Sequence, residues 1–258
     1  MKITTSQFKI IQKLLLVQRG NVKIPNLLVL NAILYVAEHG CKWRGLPKKF
    51  GNWHSLYTRA NRWAKNGVLD SVFATLQEND VINIQVEQVS LDSTAVKVHP
   101  DGTGALKKNG PQSMGKSRAG WTTKIHRVAA NATTAVTFSL SPGHVGDAPA
   151  GRELLKSFEN NGWDGTQVIM DKAYEGDETR QLIVDLGMEP VVPPKSNRLR
   201  PWKYDKELYK KRNEVERLFR RLKGFRRIFT RFDKLDVVFM FFIHFALIVQ
   251  ALNSVNRP

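Results

Sequence analysis

An α/β fold preceded by a short helical region is what this chain predicts, on three observations. Residues 1–80 carry apolar residues at helical spacing and no strand run. From about Val86 the pattern turns β-rich, through VSLDSTAVKV, TTKIHRVAA and AVTFSLS. The second half then alternates, with the short apolar run QVIMD, a helical stretch and the strand-like EPVVPP. Strand–helix–strand order calls for a parallel crossover, and so for a partly parallel sheet. The expected division is a helical region over 1–80 and an α/β domain over 81–258.

In chain order, Leu27, Leu30, Leu34 and Ala37 recur at helical spacing after Pro25 until Gly40 stops the run. WRGLPKKFG is a turn-rich connector. Ser55 to Lys65 is a second helix carrying Tyr57, Arg59, Arg62, Trp63 and Lys65. A short bundle with such a basic aromatic helix suits a helix-turn-helix-like DNA reader, or equally a plain helical cap. A long Gly- and Lys-rich loop follows the first strand, from Pro100 to Gly120, and Asn131 marks the turn between the next two. Asp147 to Asn160 reads as a helix, as does Glu175 to Leu186, closed by Gly187. Val237 to Leu252 is apolar but shorter than the roughly 20 residues a span needs, and it carries His244 and Gln250. A buried C-terminal helix is expected there, with no membrane partner.

The 258 residues carry a formal net charge of +17, which points to a polyanion; nucleic acid leads and an anionic membrane surface is the plain alternative. The densest cationic run is 195–234. One cysteine, Cys41, excludes an internal disulfide and a cysteine-rich zinc site. The apolar run near Leu14 to Val17 lacks the flank and cleavage site of a secretory signal, so a cytoplasmic protein is expected.

The most informative stretch is YKKRNEVERLFRRLK. At about 100° per residue, Tyr209, Arg212, Glu216 and Lys223 fall within a roughly 60° arc of one helix face. Beside them Val215, Leu218, Phe219 and Leu222 form an apolar stripe that would seat the helix on a sheet. Glu214, the rival acid, points roughly 140° from Tyr209, whereas Glu216 lies within about 20° of it. Two further acids stand in apolar strands, Asp92 beside Leu91 and Asp171 after Val168, Ile169 and Met170. Burying such carboxylates is costly unless a cation compensates them. Oxygen-only ligands of this kind suit Mg²⁺ or Mn²⁺.

GPQSMGKS at 110–117 satisfies the letters of a phosphate-binding loop. Its context does not, because no buried strand precedes it and a β-rich run follows, so no nucleotide is expected. His126 is left open between site and core.

The spacing Y-x2-R-x3-E-x6-K resembles the signature of DDE transposases of bacterial insertion sequences, the IS4/IS5 groups. WRGLPKKFGNW, LDSTAVKVH, GPQSMGKSRAGWTTKIH and MDKAYEGD extend the likeness over most of the chain, and the IS5-like group is the nearer. The resemblance implies an RNase H-like catalytic domain in which Asp92, Asp171 and Glu216 hold two Mg²⁺ or Mn²⁺ ions. It implies that Tyr209, Arg212 and Lys223 contact the element's end. Lys116 and Arg118, on a loop similar to the family's basic GRSRGG-type loop, are expected to approach DNA. Arg220, with Arg217, Arg221, Arg226 and Arg227, would add backbone contacts, and Arg59 and Arg62 would serve an N-terminal reader. The implied partners are the terminal inverted repeats and target DNA, bound by a homodimer or larger assembly. The implied reaction is phosphodiester hydrolysis followed by strand transfer of the 3′-hydroxyl; the alternative is an inactive, transposase-derived DNA-binding protein. Asp147, in GHVGD, is a fourth acid or a helix N-cap. Ala173 stands where related sequences commonly have glycine, which touches the backbone's approach and leaves Asp171 in place.

Overall fold

The computed structural model describes residues 1–16, 23–78, 87–131, 134–157 and 163–255, less the side chains of Glu214, Val215, Ser254 and Val255. The chain forms two compact units. One gathers Met1–Asn83, Val98–Gln112 and Arg221–Pro258, and the other Ile84–Lys97 and Ser113–Arg220.

The first unit opens with α1 (Thr5–Ile11), α2 (Asn26–His39), α3 (Trp53–Lys65) and α4 (Val68–Glu78). Local chemistry sets their ends. Thr4 and Gln7 form a capping box on α1. Gly40 closes α2 at a φ of 63°, a left-handed position that side chains resist. Asn52 Oδ1 accepts the N–H groups of His54 and Ser55 and starts α3 two residues before the expected Ser55. WRGLPKKFG folds as two 3₁₀ turns, Trp43–Gly45 and Lys48–Phe50.

The second unit is built on β1 (Gln88–Val98), β2 (Gly115–Ser117), β3 (Gly120–Ala129), β4 (Ala135–Pro142), β5 (Gln167–Met170) and β6 (Glu189–Val191). β3 runs antiparallel to β1 and β4, while β5 is parallel to β1 and β6 parallel to β5. β2 extends the β4 edge of β3, pairing with Gly120 to Thr122. Three antiparallel strands followed by a parallel pair reached through helices is the order expected of an RNase H-like sheet. The crossover helices are α5 (Asp147–Lys156) and α6 (Asp177–Asp185). Together with Val89, Leu91, Val128, Val168 and Met170, the α5 residues Leu154 and Leu155 and the α6 residue Ile183 close one apolar core. Each such buried side chain contributes about 1.5–3 kcal/mol.

The chain then runs through α7 (Lys206–Lys210) and α8 (Asn213–Lys223) to α9 (Arg226–Phe229), β7 (Thr230–Arg231) and α10 (Asp236–Val255). α10 holds the one apolar stretch among the described residues long enough to cross a membrane. It is instead a core helix: Phe239 and Phe241 to Val249 are buried, with His244 among them 2.8 Å from the Asp70 carboxylate. A helix apolar on every side needs protein all round it. α10 finds that against α3 and α4, so residues 221–258 join the N-terminal helices, and the units do not divide at residue 80.

Candidate active site

Strand parity decides which side chains face the acids. Val89, Leu91, Val128, Val168 and Met170 lie in the core under α5 and α6, so their neighbours Asp92, Arg127 and Ile169 project from the opposite face. On that face Ile169 packs with Leu208 of α7. Leu91 pairs with Met170 in the parallel register, so Asp92 and Asp171 are the next residues along adjoining strands. Asp171 sits at the carboxyl end of β5, in extended backbone, where its carboxylate accepts the Lys172 N–H and starts a 3₁₀ turn. Asp92 accepts the Ser93 N–H at 2.7 Å. The structure therefore brings these two predicted acids together.

The third comes from across the sheet, on an element that differs from the expected one. A single helix from Tyr209 to Lys223 was the sequence expectation, but α7 stops at Lys210 and α8 starts at Asn213. Between them the N–H groups of Lys211 and Arg212 bond the carbonyls of Leu208 and Tyr209, three residues back, so the turn is tighter than an α-helix. The single-face geometry survives only within α8, where Glu216 and Lys223 are seven residues apart. Arg212 still lies by Tyr209, 5.9 Å from its ring centre. Its guanidinium bonds Glu216 Oε1 at 2.9 Å and lies 3.5 Å from Asp92 Oδ2. The side chains of Glu214 and Val215 lie outside the described residues, while Leu218, Phe219 and Leu222 are buried as expected.

Burial pushes the Asp92 carboxyl above the usual carboxylate range; the Ser93 N–H, Arg212 and Arg127 pull it back, and Asp171 pushes it further. Burial works against the charge on Arg212, yet Tyr209, Asp92, Asp171 and Glu216 together hold its pKa above the ordinary value. Tyr209 is raised as well, chiefly by burial. Two adjoining carboxylates, Asp171 discouraging the ionisation of Asp92, with oxygen donors only, fit a hard divalent cation. Among the described residues no three acidic, histidine or cysteine side chains close around one point. Glu216 bonds Arg212 instead.

Arg127 was not singled out from the sequence. It is the register partner of Asp92, fully buried, with its guanidinium 3.9 Å from the Phe219 ring centre. Burial lowers its pKa to about 9, and Asp92 opposes the fall. The signal was present as a lone arginine in the apolar strand TTKIHRVAA.

The remaining predicted contacts divide by exposure. Lys116 on β2 and Arg118 just beyond it are exposed, as are Arg220 and Arg62. GPQSMGKS ends in β2 and opens no helix, which removes the nucleotide-loop reading. Lys223, on the last turn of α8, is half-buried and lowered by that burial. Arg59 is turned inward, donating to the Ile24 carbonyl at 2.7 Å. Arg227 corrects an expectation: it is buried and forks onto Asp233 at 3.1 and 2.7 Å, so it is no surface contact. Asp147 begins α5 and pairs with Lys124 at 2.9 Å, while Gly146 occupies the cap position. His126 is buried and bonds Ser141 at 2.7 Å.

Residues 87–250 match a family described as "Transposase DDE domain", and residues 3–73 match one described as "Putative transposase of IS4/5 family". A Brucella ovis protein named "Putative transposase for insertion sequence element IS6501" is 34% identical over 126 residues, which are 48% of this chain and 94% of that protein. A Sinorhizobium fredii protein, "Uncharacterized protein y4sN", is 35% identical over 85 residues, 33% of this chain and 65% of its own length. Among solved structures, the piggyBac transposase synaptic complex aligns with a TM-score of 0.37 at 13% identity, over 72% of this chain and 54% of that one. A pre-cleavage Mos1 transpososome aligns at 0.29 and 10% identity, over 94% and 83%. Scores this low carry no argument about this chain.

Proposed function

The chain belongs to the DDE transposase family, and we propose that it cuts DNA at the ends of its own mobile element and joins them to target DNA. The observation that carries the reading is the pairing of Asp92 with Asp171 at adjoining strand positions, beneath the helix segment that supplies Arg212 and Glu216.

Asp92 and Asp171 would hold Mg²⁺ or Mn²⁺, two ions per site, with Glu216 as the third acid once it parts from Arg212. Ions held so supply an activated water and stabilise the leaving oxygen of an in-line phosphoryl displacement. The chain's own residues do the rest. Arg212, freed from the carboxylates, offers a planar fork to a phosphate, and Lys223 a point charge. Tyr209 offers a ring to a sugar or base beside the cut. Exposed Lys116, Arg118, Arg220 and Arg62 neutralise backbone phosphates without reading sequence. Hydrolysis breaks the P–O3′ bond and leaves a 3′-hydroxyl; that hydroxyl then attacks a target phosphodiester and displaces its 3′ oxygen. No serine or tyrosine nucleophile is required. Synapsis of two ends calls for at least two copies of the chain.

The test uses DNA spanning the gene and its flanks, purified protein and Mg²⁺ or Mn²⁺, with wild type and Asp171→Ala side by side. Metal-dependent 3′ ends at inverted repeats, absent in the variant, are expected. Binding without cuts by the wild type would instead assign the chain a DNA-binding role with an inactive centre.

A further inference from the structure

The loop from Val192 to Asp205 leaves the carboxyl end of β6 and delivers the chain to α7. β6 runs parallel to β5, so the loop starts at the same end of the sheet as Asp171. It carries Lys195, Arg198, Arg200 and Lys203, with no acid before Asp205. A connection of this kind is ordinarily loosely held. This one is clamped. Arg198 donates to Glu175 Oε2 at 2.9 Å, to Asp177 Oδ2 at 2.8 Å and to the Glu175 carbonyl at 3.2 Å. Lys195 lies 3.3 Å from the buried Glu175 carboxylate. Trp202 donates its indole N–H to the Val192 carbonyl at 2.9 Å and is stacked by Arg180 at 3.7 Å and Arg198 at 5.1 Å. Glu175 and Asp177 follow Asp171 by four and six residues, so the clamp fastens the loop to the backbone that carries this acid.

At its tip Leu199 is 99% exposed. A lone exposed leucine is ordinary on a protein surface. This one is held out between an immobilised arginine and the Pro201–Trp202 pair, amid cations, on a loop that leaves the sheet at the same end as Asp171. We propose that Leu199 is a wedge that inserts between stacked base pairs of duplex DNA next to the phosphodiester being cut. The inference rests on the DNA-cutting reading above and adds how the duplex is deformed there.

The chemistry divides along the loop. Arg198 is engaged by Glu175 and Asp177, so it sets the tip rather than binding phosphate. Arg200 and Lys203 are exposed, and they neutralise the backbone on either side of an opened step. Apolar wedges such as leucine unstack a step at a cost of a few kcal/mol and kink the duplex there. Steps that unstack easily, TA and CA/TG, would be favoured at the position the wedge enters.

The test places 2-aminopurine in turn at each base flanking the cut, in duplexes of the element's end, with saturating protein and EDTA to prevent cleavage. Anisotropy of the same samples reports binding. Wild type should brighten one step about threefold or more, as unstacking requires. Leu199→Ala should leave that step dark although the DNA is bound, and Leu199→Phe should restore the signal. Equal brightening by Leu199→Ala, or no bright step in DNA that the wild type binds, would overturn the wedge. Loss of self-association in Leu199→Ala with unchanged fluorescence would reassign the tip to a contact between copies. Absence of any binding by the wild type would overturn the DNA reading itself, and the wedge with it.

Discussion

Asp92 and Arg127 face each other across β1 and β3, an acid and a wholly buried guanidinium on the sheet face that α8 covers. The charge on Arg127 favours the ionised Asp92, and its guanidinium also stacks on the Phe219 ring at 3.9 Å. Unlike Arg212, it has no exposed surface from which to reach DNA. Arg127→Met keeps the volume and removes the charge. Asp92 is partly exposed and retains Arg212 and the Ser93 N–H, so a loss of about 1–3 kcal/mol is expected, the range for a buried polar contact left unmade. Urea unfolding measures it, and a change under about 0.5 kcal/mol, the scale of a neutral surface substitution, would deny the pair its structural role. Arg127→Lys should recover only part, since an ammonium cannot stack as a plane.

Asp92→Ala, Asp171→Ala and Glu216→Ala should each abolish metal-dependent cleavage while leaving DNA binding largely intact. On the proposed reading each acid helps hold the ions that stabilise the developing charge, so a loss of about 10²–10³-fold or more is expected. Strand transfer at wild-type rate by any one of them would remove that residue from the mechanism. Glu216 is the sharpest test, because its carboxylate bonds Arg212.

Most of the fold was legible because its signals are local. Gly40 ends α2, the apolar QVIM run makes β5, and the β-rich stretches make β1, β3 and β4. Asp92 and Asp171 were legible as acids in apolar strands. What escaped depends on the register of distant strands or on packing. Arg127 acquires its meaning only when β3 sets it opposite Asp92. The break at Lys211 and Arg212 has no glycine or proline to announce it. Arg59 and Arg227 read as members of a basic surface, yet one is tied to the Ile24 carbonyl and the other to Asp233. The placement of α10 with α3 and α4 is likewise tertiary, since an apolar helix does not state which layer it enters.

Affinity for DNA should fall steeply with salt, with a log–log slope near −0.9 for each phosphate neutralised. Arg220→Ala and Lys223→Ala should each reduce that slope by about one. Arg227→Ala makes the contrast, because its guanidinium is consumed by Asp233. It should leave the slope alone and lower the unfolding midpoint. A salt slope lowered by Arg227→Ala with unchanged stability would reverse that assignment.

Gly151 of α5 lies where a Cβ would stand 2.5 Å from a Tyr174 ring carbon and 3.2 Å from Leu91 Cδ2. Tyr174 is buried in the core beneath β1 and β5, so neither neighbour is a free end that can swing aside. Gly151→Ala should therefore destabilise by about 1–3 kcal/mol, the usual cost of overpacking, despite the better helix propensity of alanine. Thermal unfolding of the variant tests this, and a raised midpoint would mean that the tyrosine relaxes freely.

His126 gives the stability a defined dependence on pH. Burial lowers its pKa to about 4, with Lys124 lowering it too and Asp147 opposing. The unfolded chain takes up a proton at the ordinary histidine value, about 6.5, while the folded imidazole stays neutral beside Ser141. Protons thus favour the unfolded state between these values. The stability from a neutral His126 is complete above about 6.5 and is lost as pH falls toward about 4, a change of about 3 kcal/mol. His126→Gln keeps a polar partner for Ser141 and cannot titrate. The unfolding free energy from urea titrations should therefore fall further between pH 7.5 and 4.5 for wild type than for the variant, by about 2–3 kcal/mol. Equal falls in the two proteins would mean that the folded imidazole accepts its proton as readily as the unfolded one.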